Sequence, residues 1–196
     1  MIEKRKEYKF LFNNVELSYF FNQFEPKIDN LYKTRHVKSL YMDTINKDLY
    51  LRSKYDDTSK FKFRYRQYDQ EGDIFQEIKF SDFNGKFKFK TKTSFKSFDD
   101  VENIIYKGYY LIPKTYVSYN RKYFKFNNEV RMTIDKNLEF ENFLTGYNQK
   151  LDINVVELKK LHENQNLDFA NLFFKNPIKF SKYEKSIESI FFNLKQ

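Results

Sequence analysis

The sequence predicts an α+β protein: about eight antiparallel β-strands closed into a barrel, with helices packed outside it and a C-terminal helix. Three observations predict this. Short stretches alternating polar with apolar residues recur along the 196 residues. Turn signals separate several of them, including "QEGD" at 70–73 and "NG" at Asn84–Gly85, the strongest short hairpin signal in the chain. A few amphipathic stretches interrupt the strands, and their apolar faces need something to cover.

The elements follow in order. "RKEYKFLF" (Arg5–Phe12) is a first strand, followed by a helix with an asparagine cap over "NNVELSYFFNQF". His36–Thr44 is a strand and "INKDLYLRSKYDD" a turn or short helix. "KFKFRYRQY" (Lys60–Tyr68), Ile74–Asp82 and Lys86–Thr93 are strands joined by the two turns above. "SFDDVENIIYKGYY" reads as a helix capped by Ser97 or Asp99, with Val101, Ile104 and Ile105 on one face. Two strands joined at Asn127–Asn128 follow, then "INVVELKKL". The tail is a helix with Ser181 as cap and Glu184 at the capping-box position. No repeat or Gly/Pro-rich linker divides the chain, so 1–196 reads as a single domain.

Composition narrows the chemistry. Lys and Arg number 36 against 27 Asp and Glu, a net charge of +9. An anionic partner is implied, and nucleic acid, membrane surface and small phosphates all satisfy it. Cysteine is absent, which excludes disulfides and thiolate metal sites. With only His36 and His162, a histidine-rich site is excluded as well. Any metal must be a hard cation held by carboxylates. No apolar stretch approaches the roughly 20 residues that span a bilayer, and the N-terminus has no signal core. A soluble, cytoplasmic protein without a membrane segment is expected.

The strands carry the functional signal. In Lys60–Tyr68 one parity is Lys60, Lys62, Arg64 and Arg66, and the other is Phe61, Phe63 and Tyr65. Glu77 and Lys79 share a parity opposite Ile74, Ile78 and Phe80. Lys86, Lys88, Lys90 and Lys92 form another basic row. Glu129, Arg131, Thr133 and Asp135 oppose Val130, Met132 and Ile134, and Glu157 lies between Val155 and Lys159. A solvated outer face is the ordinary explanation for one such strand. If helices cover the apolar parity from outside, however, the charged parity lines the barrel. A cation-lined interior repels itself unless a polyanion occupies it.

The ordered set "RKEYKF", "SLYMDT", "FKFRYRQY", "FQEIKF", "VSYNRKYF", "EVRMTID", "VVELKK" and "FSKYEKS" resembles the VTC domain. This is the polyphosphate-polymerase branch of the CYTH, or triphosphate tunnel metalloenzyme, superfamily. Each motif alone is weak; their order and spacing make the signal. The resemblance implies an eight-stranded antiparallel tunnel whose inward basic residues hold ATP and polyphosphate. It implies transfer of the γ-phosphoryl group of ATP to a growing chain, with Mn²⁺ or Mg²⁺. It places phosphate-binding roles on Lys9, Arg64, Arg66, Lys79, Lys88, Lys90, Arg121, Arg131, Lys159 and Lys182, of which Lys182, Arg64, Arg66 and Arg131 are catalytic. It places the metal on Glu157, with Glu7 and Glu77 as further carboxylates. Eukaryotic members also carry an SPX domain and membrane helices, neither of which this sequence shows. The hydrolytic branch's Glu-x-Glu-x-Lys is reduced here to Glu7-x-Lys9, with Arg5 at the first acidic position. That favours polymerase over hydrolase.

The residue types suit the chemistry. Phosphoryl transfer needs cations around the equatorial oxygens and in-line positioning more than covalent help. Arginine supplies a planar fork for phosphate oxygens, lysine a point charge. A lysine at a helix start, as Lys182 would be, sits badly with the dipole unless an anion joins it. The aromatic parity of Lys60–Tyr68 reads as packing under a helix rather than a platform for bases, and nucleic acid is not expected as a partner. A hydrolase of the same fold and a non-catalytic polyphosphate-binding module are the alternatives. The sequence leaves oligomeric state open.

Overall fold

Strands form over the stretches of two-residue alternation, and the one expected from His36 begins earlier, at Ile28. The computed structural model describes residues 7–24, 28–56, 59–70, 72–83, 85–126, 130–160 and 175–192. Among the described residues ten strands run β1 (Glu7–Phe12), β2 (Ile28–Asp43), β3 (Ser59–Tyr68), β4 (Ile74–Asp82), β5 (Gly85–Lys92), β6 (Ile104–Tyr106), β7 (Tyr109–Phe126), β8 (Val130–Asn142), β9 (Asn148–Leu151) and β10 (Asn154–Lys160). Among the same residues three α-helices interrupt and follow them: α1 (Asn14–Phe24), α2 (Asp48–Tyr55) and α3 (Lys182–Phe191). The class is α+β, and every strand pair whose register is determined is antiparallel. Eight strands follow the order β1-β10-β8-β7-β2-β3-β4-β5, with β6 added to β7 and β9 to β8. The path has two ends, β1 and β5, where the sequence predicts closure.

The chain divides into two compact units. The first gathers residues 1–35, 119–138 and 151–180; the second gathers 36–118, 139–150 and 181–196. The long strands β2, β7 and β8 each contribute to both units. A linker-free sequence is therefore compatible with two units, because three of the crossings between them lie within long strands.

In the first unit β10 lies between β1 and β8, with Lys9 opposite Glu157 and Glu157 opposite Thr133. The apolar parity of these strands packs with α1. Phe10, Phe12, Met132, Ile134, Val156 and Leu158 form one core cluster with Leu17 and Phe20 of α1 and Phe124 of β7. A capping box starts the helix. Asn13 Oδ1 accepts from the Glu16 amide at 2.8 Å, and the Glu16 carboxylate accepts from the Asn13 amide at 2.9 Å.

In the second unit β3 lies between β2 and β4, and β4 between β3 and β5. Phe61, Phe63 and Tyr65 are buried, as a packing role requires. Their cover differs from expectation. Tyr106 and Tyr109 pack on Phe61, Tyr106 on Phe63, and Phe95 on Tyr65. The segment predicted as a helix is a 3-10 turn at Phe98–Asp100, capped by Ser97, followed by the β6–β7 hairpin. Lys107 and Gly108 at its tip have φ of 50° and 78°. Two successive positive-φ residues make the tight turn that matches strand twist, and Ile104–Ile105 favours strand beside it. Asn84, Asn127, Asn128, Glu129, Arg5 and His162 lie outside the described residues.

Substituting Asn13→Ala removes one half of the α1 capping box. It should lower stability by about 1 kcal/mol in urea unfolding. A change below a few tenths would show that the apolar face alone holds α1.

Candidate functional site

Arg64 and Arg66 are buried, and so is Glu77 between them and β5. The register explains this. Tyr41, Arg64, Glu77 and Lys90 are successive cross-strand partners from β2 to β5. Ser39 and Arg66 are partners one step along, and Lys62, Lys79 and Lys88 one step the other way. Directly opposed residues share a face, so one face of this sheet is a field of cations with Glu77 at its centre.

Glu77 is saturated. Its Oε2 accepts from Arg64 Nε at 2.9 Å and Nη2 at 2.5 Å, and its Oε1 accepts from Lys88 Nζ at 2.6 Å. Arg66 Nη1 stands 3.9 Å from the same carboxylate. The arginines are held from the other side as well. Arg64 Nη1 donates to the Tyr41 hydroxyl at 2.7 Å, and Arg66 Nε to Ser39 Oγ at 2.9 Å. Burial alone would push the Glu77 carboxyl up, but Arg64, Arg66 and Lys88 hold it down at about 2. Burial also works to raise the Tyr41 hydroxyl, and the charges of Arg64, Arg66 and Lys62 bring it below its ordinary value. Lys79 and Lys90 are exposed. Lys90 Nζ lies 3.7 Å from the centre of the Phe75 ring.

Helix α3 joins this polar face. Ser181 caps it, accepting from the Glu184 amide at 3.3 Å, so Lys182 is its first residue. Lys62 donates to Ser181 Oγ at 2.8 Å and to Glu184 at 2.9 Å. Tyr183 stacks on Tyr41 with ring centres 5.0 Å apart, and its hydroxyl donates to Asp43 at 2.5 Å. Asp43 also accepts from the amides of Thr44, Leu49 and Tyr50, fixing the start of α2. Burial raises the Asp43 carboxyl above its usual range.

The first unit repeats the pattern on the sheet face opposite α1. Arg121 forms a two-pronged pair with Asp135, 2.5 Å at Nε and 2.7 Å at Nη2. Glu7 and Glu157 both contact Lys159 Nζ at 3.0 Å. Burial works to lower the Lys159 ammonium, but those carboxylates raise it, so it keeps its charge. Lys9 Nζ donates to the Phe180 carbonyl at 2.8 Å. Arg131 is exposed, its guanidinium 5.4 Å from the Tyr123 ring.

Thus Glu7, Lys9, Arg121, Arg131, Glu157 and Lys159 gather on one face in the first unit. Arg64, Arg66, Glu77, Lys79, Lys88 and Lys90 gather on one face in the second, with Lys182 opening α3. These are not solvated outer faces at their centres, since Glu77 and Asp135 are both 0% exposed. Sequence reading missed Tyr41, Ser39, Asp43 and Tyr183, and left Asp135 without a role. Alternation marks a face, but only register shows which polar side chain meets which arginine.

The carboxylates divide by chemistry. Among the described residues no group of three or more Asp, Glu or His could hold a metal by itself. Glu7 and Glu157, converging on one ammonium, suit a hard divalent ion that takes its other oxygens from phosphate and water. Glu77, expected as a metal carboxylate, does not fit, because three cations already surround it.

A depressed carboxylate contributes stability that is full above its unfolded value and fades as pH falls through its folded one. Glu77→Gln should therefore cost on the order of 3 kcal/mol near neutral pH. Its deficit against the wild type should close as pH falls from 4.5 towards 2. Equal deficits across that window in denaturant titrations would show that the charge of Glu77 is not what the arginines require.

The VTC domain family model matches residues 4–106 and 86–191. A search of curated proteins finds no match. Among solved structures, a candidate adenylate cyclase of Bacillus halodurans is similar at 12% identity and TM-score 0.61, over 96% of this chain and 100% of that one. Pyrococcus horikoshii protein PH1819 is similar at 13% identity and TM-score 0.55, over 94% and 96%. A Hippeastrum candidate adenylyl cyclase with a dominant triphosphatase activity is similar at 14% identity and TM-score 0.55, over 93% and 95%. At these identities the likeness shows the fold alone. With the family model covering most of its length, the chain belongs to the VTC domain family, in the CYTH or triphosphate tunnel fold.

Proposed function

We propose that this chain is an ATP-dependent polyphosphate polymerase, moving the γ-phosphoryl group of ATP to a growing polyphosphate chain. Membership of the VTC family supplies the prior, and one observation carries the choice of reaction. On the described polar faces Glu77, Asp135, Glu7 and Glu157 are engaged by cations, Asp43 is held by Tyr183 and three backbone amides, and the cations outnumber these carboxylates. Glu77 holds Arg64 and Lys88, Asp135 holds Arg121, and Glu7 and Glu157 share Lys159. Such a surface grips polyanions; it does not present a carboxylate free to activate water.

The roles follow from the contacts. Arg64 and Arg66, pre-set by Glu77, Tyr41 and Ser39, meet phosphate oxygens without reorganising. Lys79, Lys88 and Lys90 extend the cationic row along which a chain can lie. Lys9, Arg121, Arg131 and Lys159 supply the cations of the first unit. Lys182 holds the acceptor's terminal phosphate. Glu7 and Glu157 would hold the divalent ion, Mn²⁺ or Mg²⁺, which neutralises charge on phosphate oxygens when bound. An acceptor phosphate is already ionised, so attack needs no base, only cations to bring two anions together. Among the described residues no helix is long and apolar enough to cross a membrane. ATP and polyphosphate, not nucleic acid, are the proposed partners, and a cytoplasmic setting agrees with ATP as donor.

A hydrolase is the second reading, favoured by the adjacent Glu7 and Glu157, which could serve a metal that activates water. The products separate the two. ATP with Mn²⁺ should yield ADP and a ladder of polyphosphate on a gel, with orthophosphate minor. Lys182→Ala should suppress the ladder more than it weakens ATP binding. Stoichiometric orthophosphate without a ladder, even with a short polyphosphate primer, would assign the chain to the hydrolases.

Binding has its own signature. Ligand at 100 times its dissociation constant stabilises by about 2.7 kcal/mol. Tripolyphosphate should therefore raise the melting temperature by several degrees, and sulfate by much less. Equal shifts from the two anions would rule out a site built for a phosphate chain.

A further inference from the structure

Thr133 is placed among charges, and among the described residues its hydroxyl has nothing to bond. It stands on β8 between Arg131 and Asp135 and opposite Glu157 of β10. Its strand neighbours Met132 and Ile134 belong to the core under α1, so Thr133 is on the other, polar face. It is 4% exposed. Its hydroxyl has no hydrogen-bond partner among the described residues.

That combination is costly. A buried hydroxyl that forgoes water and finds no protein partner loses its solvation for nothing. Valine has nearly the same shape and the same preference for a strand, and would fill the position without that loss. The neighbouring carboxylates do not use the hydroxyl: Asp135 is paired with Arg121, and Glu157 and Glu7 with Lys159. What this hydroxyl lacks is an acceptor, and the cations of the face (Lys9, Arg121, Arg131 and Lys159) outnumber its carboxylates. Lys159 and Arg131 are cross-strand partners immediately beside Thr133, and Arg131 is exposed. A neutral hydroxyl is a weak ligand for a metal beside carboxylates, but a good donor to an anionic oxygen.

We propose that Thr133 is a substrate-contacting residue, its Oγ1–H donating to a phosphate oxygen of the bound triphosphate or polyphosphate. This rests on the polyphosphate reading above and adds a residue to it.

The test measures tripolyphosphate binding by calorimetry in EDTA, together with melting temperature without ligand, for wild type, Thr133→Val and Thr133→Ser. Thr133→Val should melt at or above the wild type when empty, yet bind tripolyphosphate about tenfold more weakly, the loss of one charge-assisted hydrogen bond. Thr133→Ser, which keeps the donor, should bind close to wild type. Should valine crowd the site and unfold the chain, Thr133→Ala gives the same comparison by truncation. Unchanged tripolyphosphate affinity in Thr133→Val would overturn the proposal and leave the hydroxyl to a buried water. A defect seen only on titrating Mn²⁺ would overturn it in favour of a metal contact. Failure of the wild type itself to bind tripolyphosphate would overturn the polyphosphate reading and this contact together.

Discussion

Cations two residues apart on a strand, repeated on the next strand, repel one another unless something anionic stands among them. This constraint organises both polar faces. On β3 and β4 the anion is Glu77, fully buried, with Arg64, Arg66 and Lys88 around it. Its position is tolerable because it is surrounded, and the arginines are tolerable because it is there. Removing one partner of such a group strands a buried charge, which is why a buried ion cluster matters more for its integrity than for its net energy. Tyr41 and Ser39 complete the shell by accepting the N–H groups Glu77 cannot reach. The guanidiniums are thereby fixed before any phosphate arrives.

The opposite faces pose no such problem and are closed by ordinary packing. Phe10, Met132, Ile134, Val156 and Leu158 meet α1, and Phe61, Phe63 and Tyr65 meet the aromatic residues of β6, β7 and the segment before them. The two periodicities are one device: a strand that must present cations to a ligand on one side needs a continuous apolar stripe on the other to stay in place. Helix α3 departs from that division. It packs on the polar side of the second unit, where Tyr183 stacks on Tyr41 and reaches Asp43, and where Ser181 and Glu184 receive Lys62. The start of α2 and the start of α3 thus meet at Asp43, and the Arg64 guanidinium bonds Tyr41, whose ring stacks on Tyr183.

Much of this was legible in the sequence because a strand has a period of two. That period put Arg64 with Arg66, and Arg131 with Thr133 and Asp135, before any pairing was known. Caps were legible too, at Asn13 and Ser181, because the chemistry of a helix start is local. Pairing was not legible. Nothing near Glu77 in sequence says that it faces Arg64 rather than solvent or a metal, and nothing near Arg121 names Asp135. Those facts depend on register, which long-range packing sets. The misread segment at 97–110 failed for a related reason. Val101, Ile104 and Ile105 fit helical spacing, but Lys107–Gly108 accepts a tight turn, and the hairpin it makes covers Phe61 and Phe63 of β3. Glu184 shows the limit of a local rule: its amide follows the capping pattern, while its side chain leaves for Lys62 and Ser53.

The distribution of carboxylates decides what the cations can be used for. In a site built to split phosphates with water, some carboxylate must be free to take a proton or to hold the metal whose water attacks. Here Glu77 and Asp135 are committed to arginines, and at 0% exposure neither can turn to another task without stranding its partner. Glu7 and Glu157 differ, since their shared partner is one flexible lysine, partly exposed. A lysine can move aside where an arginine fork in a buried pair cannot. On the proposed reading this pair would exchange its ammonium for a divalent ion, which would release Lys159 to the phosphate the ion accompanies. Metal and substrate would then enter the first unit together, the ion cancelling part of the phosphate charge, and the Arg121–Asp135 pair would remain undisturbed as the fixed part of that unit's grip.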